Sequence, residues 1–239
     1  KFLLVSGLAL SLIACGENDN NSDKAQVDEK NEENQVEQTQ ETTEVPDPIE
    51  AQSSDKYSYE MVVSELSIPW GFTFLPDKSM IITEKNGDII HFKDGKKIMI
   101  QGGPEVYDRG QGGLMDVVLH PDYENNGWIY FTYASEEGDG NGGNTALMRA
   151  KLNGDRLTDK EILYKATPNT TKGQHFGSRI AFDNDGYLYF SIGERGERDV
   201  NPQDITRDNG KVYRLNDDGS IPSDNPFVGE ENALDAIYS

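Results

Sequence analysis

From about Tyr57 onward, short apolar runs alternate with turns rich in glycine, aspartate and asparagine. No run keeps the 3.6-residue period of an amphipathic helix, and short apolar runs bounded by such turns are typical of β-strands. The dipeptides Asn-Gly and Asp-Gly between the runs favour tight turns. The first part of this region therefore predicts four strands, which centre on residues 72–74, 80–82, 89–92 and 98–100.

The same pattern occurs three times along the chain. An acidic turn at residues 76–77, 121–122 and 183–186 is followed each time by an apolar strand. The apolar residues that precede these turns, Phe74, Leu119 and Phe182, are 45 and then 63 residues apart. Four-stranded units repeated at such a distance are typical of a β-propeller. Propellers close with about four to eight blades, so three repeats form only part of a ring. We expect the sequence to be cut at both ends, because residues 233–239 resemble the start of another apolar strand.

The N-terminal region has a different character. Residues 2–13 form a twelve-residue apolar run, which is shorter than the ~20 residues that a transmembrane helix needs but fits a secretory signal. The run ends in Leu-Ile-Ala-Cys at Cys15, which resembles a bacterial lipoprotein processing site. The resemblance implies cleavage before Cys15 and a lipid on its sulfur; an ordinary signal cleavage site is the alternative. Gly16 resembles the outer-membrane sorting pattern of Gram-negative lipoproteins, which implies a periplasmic location.

Charge divides the rest of the chain into two parts. The chain has a net charge of −21 in 239 residues. Residues 16–56 contain 13 Asp or Glu and 3 Lys, so about half of this net charge lies in that segment. This segment has almost no large apolar residues, so we expect a disordered acidic linker between the signal region (1–15) and the partial propeller (57–239). The acidic balance argues against a nucleic-acid partner, because phosphates are bound by basic patches. Contact with a membrane is expected only through the lipid.

One histidine stands out by its position. His175 lies in Gly-Gln-His-Phe-Gly-Ser-Arg, directly before the first strand of the third repeat, where a propeller builds its binding site. A neutral imidazole at the mouth of the central funnel is a natural proton acceptor. The alternative is a loop histidine that bonds a backbone carbonyl. His91 lies in an alternating strand and His120 in a repeated turn, and we interpret both as structural.

The segment around His175 resembles the signature of the glucose/sorbosone dehydrogenases, soluble sugar dehydrogenases that use pyrroloquinoline quinone (PQQ). Other segments agree with this family in the same order, over roughly residues 60–239. The matching segments are 69–71, 83–87, 111–114, 119–122, 174–196, 210–216, 218–222 and 224–227. The resemblance implies an all-β, six-bladed propeller, of which this chain holds about the first three blades. It also implies oxidation of an aldose sugar to a lactone, with His175 as the general base for hydride transfer to the quinone.

The resemblance also implies roles for three polar residues. Gln111 matches a glutamine that contacts substrate; the alternative is an amide that closes a glycine-rich turn. Gln174 stands where the glucose enzymes carry an acid, which favours the broader aldose dehydrogenase branch. Arg195 lies near the expected sugar site and is assigned to substrate and cofactor binding. Its alternative is a salt bridge to Glu194, Glu197 or Asp199.

Metal and cofactor ligands are expected elsewhere. Residues 183–186 resemble the start of a calcium loop, but Leu188 stands where that loop needs glycine, so we interpret the segment as a hairpin turn. In the family, the remaining PQQ ligands and the calcium ligands come from later blades. We therefore expect this part alone to be inactive. The rival hypotheses are a propeller lactonase or other metal-dependent hydrolase, and a non-catalytic binding propeller; the electron acceptor is not specified.

Overall fold

The computed structural model describes residues 57–239, and the predictions for the signal region, Cys15 and the acidic linker lie outside this part. The regular elements of the described part are almost all β-strands, with one four-residue helix, α1 (Tyr123–Asn126), and a 3₁₀ turn at Asn201–Gln203. The strands are β1 (Pro69–Phe74), β2 (Met80–Glu84), β3 (Ile89–Lys93), β4 (Lys96–Met99), β5 (Leu114–Leu119), β6 (Trp128–Ser135), β7 (Asn144–Asn153), β8 (Arg156–Lys165), β9 (Gly177–Phe182), β10 (Leu188–Ile192) and β11 (Lys211–Leu215). No helix among these residues is long and apolar enough to cross a bilayer.

The strands form three antiparallel sheets in which neighbours in sequence are neighbours in space. The orders are β1-β2-β3-β4, β5-β6-β7-β8 and β9-β10-β11. The last residues of the chain extend the third sheet, because Ile237 forms a bridge with Tyr213 and the Val212 N–H donates to the Ser239 carbonyl at 2.6 Å. Each predicted repeat is therefore one meandering sheet, as expected for a propeller blade.

The turns use the residues on which the repeat prediction depended. Asp94 and Gly95 both adopt positive φ (51° and 72°) between β3 and β4, which is the backbone of a type I′ hairpin. Between β9 and β10, the Asp183 carboxylate accepts the N–H groups of Asp185 and Tyr187 at 3.0 and 2.9 Å. That segment is a side-chain-capped hairpin turn, in agreement with the interpretation made from the sequence.

The middle sheet is buried on both faces. Successive side chains of a strand point to opposite faces, so adjacent apolar residues enter different cores. Phe131 and Met148 pack towards the first sheet, whereas their neighbours Tyr130 and Leu147 pack towards the third. This double burial explains why β6, in the interior of that sheet, is buried continuously from Ile129 to Ser135.

The far face of the first sheet is an open apolar surface. Phe72 and Phe74 on β1 are exposed by 61% and 59% and meet edge to face at 5.7 Å. With Val62, Met80 and Ile82 they line a shallow cavity of about 260 Å³. An apolar face of this kind is what a blade presents to the next blade of a ring.

The first strands of the three sheets lie side by side. Thr83 on β2 donates to the Met115 carbonyl on β5 at 2.6 Å, and Thr132 on β6 donates to the Ser178 carbonyl on β9 at 2.9 Å. The buried Asp116 carboxylate on β5 accepts the Ile180 N–H at 2.8 Å. These bonds align β1, β5 and β9, so the residues that begin these strands meet at one end of the molecule.

Candidate functional site

His175 lies two residues before β9 in a tightly folded loop. Its backbone is left-handed (φ 57°), and Gly177 follows at φ 75°. A Cβ on Gly177 would lie 2.7 Å from the Gly193 nitrogen, and a Cβ on Gly193 would lie 1.8 Å from the His175 carbonyl oxygen. The two glycines therefore allow the loop before β9 to contact the loop after β10.

The contact between these loops pairs His175 with Glu194. Gly177 and Ile192 are cross-strand partners, and two residues further out along each strand the His175 Nδ1 forms a hydrogen bond with the Glu194 carboxylate. Burial raises the pKa of the Glu194 carboxyl, but the hydrogen bond with His175 contributes to a net shift below its ordinary value. Glu194 is therefore a carboxylate at neutral pH, and the proton of this hydrogen bond belongs to the His175 ring. In the neutral imidazole, Nε2 is then the free proton acceptor.

Gln111 holds the same loop from the second sheet. The Gln111 side-chain oxygen accepts the His175 backbone N–H at 2.7 Å. The Gln111 backbone N–H donates to the Gly173 carbonyl at 2.6 Å. Gly110 is needed at this point, because a Cβ there would lie 2.1 Å from the Gly173 oxygen. The structure thus brings Gln111 and His175 together, and the Gln111 amide helps to fix the histidine backbone.

His175 lines a cavity of about 250 Å³ near the start of β5 and β9. The cavity is lined by Trp70, Gln111, Met115, His175, Phe176 and Gly177. The His175 side chain is 52% exposed, while Met115 and Phe176 are buried behind it. A proton acceptor therefore lies beside flat and apolar walls, which is an arrangement suited to a planar ligand.

Arg195 has a different place from the one that the sequence analysis assigned. Its side chain is only 1% exposed, and it does not line the cavity. The guanidinium donates to the Gln174 carbonyl at 2.9 Å and to the Gly143 carbonyl at 2.8 Å, and it lies 3.6 Å over the Phe176 ring. It also forms none of the three salt bridges that were the alternative, to Glu194, Glu197 or Asp199. Its donors bind the loops themselves, so direct contact with sugar or quinone is not the role that this geometry supports.

Gln174 lies behind His175 and does not line the cavity. Its carbonyl accepts from Arg195, and its side-chain nitrogen lies against Gly196, where a Cβ would approach it to 2.6 Å. The other two histidines lie in turns and strands away from the cavity. The His91 Nε2 is 2.8 Å from the Ser79 hydroxyl, and the His120 Nδ1 accepts the Asp122 N–H at 2.9 Å.

Comparison with known proteins agrees with this fold. Residues 66–239 match the sequence model of the family Glucose / Sorbosone dehydrogenase. The chain belongs to the glucose/sorbosone dehydrogenase family. Aldose sugar dehydrogenase YliI of Escherichia coli K12 is 40% identical over 185 residues, which are 75% of this chain and 49% of that protein.

Solved structures of this family have the same fold. The apo crystal structure of the soluble aldose sugar dehydrogenase from Escherichia coli matches with a TM-score of 0.68 at 38% identity, over 72% of this chain and 50% of that one. The PQQ-bound aldose sugar dehydrogenase from Streptomyces coelicolor matches with a TM-score of 0.61 at 29% identity, over 71% of this chain and 51% of that one. These matches confirm the predicted propeller, and the chain spans about half the length of its relatives.

Two charged residues near this cavity were missed from the sequence. Asp116 is buried on β5, and its carboxylate accepts from Arg179 at 2.8 Å; the Arg179 guanidinium lies 5.5 Å from the centre of the Trp70 ring. The sequence did not indicate Glu194 as a partner of His175. Its role could have been found from the hairpin, because residues just before β9 and just after β10 must meet at the same end of an antiparallel pair.

The cavity offers part of what PQQ requires. Trp70, Met115 and Phe176 supply flat or apolar surface for an aromatic cofactor, and His175 supplies a base beside it. None of the described lining residues is a lysine or arginine that would pair with the cofactor's carboxylates. Residues 57–239 hold no group of three or more His, Cys, Asp or Glu side chains placed to bind a metal ion.

Proposed function

We propose that the full-length protein containing this chain is a PQQ-dependent aldose sugar dehydrogenase, which oxidises the sugar to its lactone. The observation that carries the proposal is the His175–Glu194 pair at the edge of a cavity of about 250 Å³, in a chain of the glucose/sorbosone dehydrogenase family. The PQQ-bound relative supports the choice of cofactor. Calcium is proposed as a second cofactor by analogy within the family, with ligands outside the described residues.

His175 is proposed to act as the general base. Because the Glu194 carboxylate accepts from Nδ1, it fixes the tautomer that leaves Nε2 free to accept the proton of the anomeric hydroxyl. It also stabilises the positive charge that forms on the ring. The chemistry that PQQ supplies when bound is that of a two-electron acceptor for the hydride from the anomeric carbon. Removal of the hydroxyl proton as the hydride leaves yields the neutral lactone carbonyl.

The polar neighbours are proposed to position the base and the sugar. Gln111 uses its oxygen on the His175 N–H, which leaves the amide nitrogen for a sugar hydroxyl. Gln174 and Arg195 lie behind the base, so we propose that they support its loop and do not contact the substrate. The neutral Gln174 adds no second charge beside His175, which favours a site for aldoses in general.

The resemblance of the residues before Cys15 to a lipoprotein processing site supports a proposal for the location. We propose that the mature protein is attached to the outer membrane of a Gram-negative bacterium through lipid on Cys15 and faces the periplasm. The acidic segment 16–56 would act as a tether, because like charges extend a chain. The electron acceptor would then be a carrier within reach of the periplasmic side.

The deciding experiment uses the full-length protein with PQQ and calcium. Reduction of an artificial dye is measured with a panel of hexoses, pentoses and disaccharides, with and without PQQ. We expect reduction that needs both an aldose and PQQ. The absence of PQQ-dependent dye reduction with every aldose would refute the proposal, and metal-dependent hydrolysis of lactones under the same conditions would favour the hydrolase alternative.

A further inference from the structure

Arg195 is a buried cation that forms no hydrogen bond or ion pair with a carboxylate of residues 57–239. Its side chain is 1% exposed, and burial lowers its pKa to about 10, so the guanidinium remains charged at neutral pH. Its hydrogen bonds run to oxygen atoms of uncharged groups and to no carboxylate. A buried charge is retained at a cost to stability, and this cost is offset only where the geometry of its hydrogen bonds is good.

Arg195 contacts the loop that carries His175 (residues 172–176) both before and after the histidine. On the loop itself, Nη2 donates to the Lys172 carbonyl and Nε donates to the Gln174 carbonyl at 2.9 Å. The Phe176 ring lies 3.6 Å from the guanidinium carbon, in stacking contact with it. Arg195 therefore contacts the residue before His175, the residue after it and a third residue upstream, without contacting His175.

The same guanidinium also connects this loop to the second sheet. Nη1 donates to the Gly143 carbonyl at 2.8 Å and to the Asn144 side-chain oxygen at 3.2 Å, at the start of β7. Asn144 is fully buried and bonds in turn to Asn209 at 2.9 Å. The loop that carries His175 is thus fixed to two sheets through one planar cation.

We infer that Arg195 is a positioning residue, which holds the His175 ring over the cavity by fixing the backbone on both sides of it. The inference rests on the proposed function only for the effect on catalysis. A planar fork with donors in fixed directions can serve these acceptors at once, whereas the lysine ammonium has three donors on a flexible stem and no face to stack on Phe176. A displacement of about 1 Å at a reacting group costs about 10²-fold in rate.

The test compares Arg195→Lys, Arg195→Ala and Arg198→Ala in the full-length protein with PQQ and calcium. Arg198 is an exposed arginine of the same loop that has no hydrogen bond or ion pair within residues 57–239, so it is the matched control. We expect Arg195→Lys to remain folded by thermal unfolding, with kcat about 10²-fold lower and KM for the aldose changed much less. Arg198→Ala is expected to keep the kcat of the parent. The inference would be overturned if the kcat of Arg195→Lys stayed within about threefold of that of the parent. It would also be overturned if the fraction of unfolded variant accounted for the whole loss of kcat.

Chemical rescue separates positioning from general stability. In Arg195→Ala, added guanidinium ion should restore part of kcat by occupying the space over Phe176, and ammonium at the same ionic strength should not. If Arg195→Ala does not fold, the decision rests on Arg195→Lys. Equal effects of the two ions in a folded Arg195→Ala variant would count against the inference.

A spectroscopic arm needs no activity and so distinguishes failure of this inference from failure of the proposed function. The proton between His175 Nδ1 and Glu194 should give a low-field NMR signal that is absent in His175→Gln. We expect this signal to be lost or shifted in Arg195→Lys and retained in Arg198→Ala. An unchanged signal in Arg195→Lys would overturn the inference even if the wild-type protein oxidised no aldose.

Discussion

His175 and Glu194 face each other across the open end of the β9–β10 hairpin, and a hydrogen bond joins the ring Nδ1 to the carboxylate. This relationship is a direct continuation of the strand register, in which Gly177 pairs with Ile192. The carboxylate determines which ring nitrogen carries the proton, and His175 lines a cavity together with the apolar Trp70, Met115 and Phe176. This cross-strand pair thus fixes the tautomer of the proposed base.

Replacement of Glu194 by glutamine should weaken the base without removing it. The amide is isosteric but uncharged, so it no longer stabilises the charged ring and can select the other tautomer. Because a hydrogen bond to a charged group contributes about 1.5–3 kcal/mol, we expect kcat to fall about 10- to 100-fold in the full-length protein. Steady-state kinetics with saturating PQQ measures this. Glu197→Gln, at an exposed position that pairs with Lys172, is the control, and equal effects of the two changes would contradict a specific role for Glu194.

Asp116 should make the protein less stable as the pH rises. Burial raises the pKa of this carboxyl, and the Ile180 N–H and the Arg179 charge only partly offset the effect. The folded state therefore binds the proton more tightly than the unfolded state, and the free energy of unfolding falls as the pH rises from about 3.9 through the folded pKa. Asp116→Asn removes the titrating carboxyl. The free energy of unfolding of the variant relative to that of the parent should therefore increase as the pH rises through that window.

Urea unfolding at a series of pH values measures this difference. Asp204→Asn is the control of opposite sign, because hydrogen bonds from Thr206 lower the pKa of the Asp204 carboxyl. A carboxyl with a lowered pKa stabilises the fold above its unfolded pKa, so the relative stability of that variant should fall as the pH rises. A parallel fall for Asp116→Asn would show that the ionised Asp116 stabilises the fold.

Ser178 lies in an unfavourable backbone conformation at the start of β9. Its φ is 98°, and its buried hydroxyl has no hydrogen-bond partner among residues 57–239. Strain of this kind costs about 1–3 kcal/mol, so Ser178→Gly should stabilise the protein by about 1 kcal/mol after the greater entropy of glycine is counted. Thermal or urea unfolding measures the change. Gly177→Ala should destabilise by a similar or larger amount, and a destabilised Ser178→Gly variant would refute the assignment of strain.

The proposed lipid anchor is tested at Cys15. Cys15→Ser in the full-length precursor should move the protein from the membrane fraction to the soluble fraction, because the thioether bond to lipid cannot form. Fractionation followed by immunoblotting measures the distribution. Gly16→Asp is the matched variant, which should stay in the membrane fraction but move from the outer to the inner membrane. A Cys15→Ser protein that remains membrane-bound would disprove the lipoprotein assignment.

The sequence predicted the strands and the repeat because both depend on local rules. Turn residues such as Asp94 and Gly95 determine where strands end, and strand alternation determines which side chains are buried. The position of His175 followed from the repeat. The role of Arg195 could not be predicted in this way, because most of its acceptors are backbone carbonyls of loops, and no residue pattern identifies them. Asp116 was missed for a similar reason, since a single carboxylate in an apolar strand gives no sign of its partner Arg179.

The measurement that tests the account most directly is the kcat of His175→Gln beside that of His120→Gln, in the full-length protein with PQQ, calcium and an aldose. His175 lies just before β9 and lines the cavity, whereas His120 lies in the turn just after β5 and does not line it. We expect His175→Gln to lose about 10²–10⁴-fold in kcat, as for removal of a general base, while His120→Gln retains the activity of the parent. Similar activities for His175→Gln and the parent would contradict the assignment of His175 as the base.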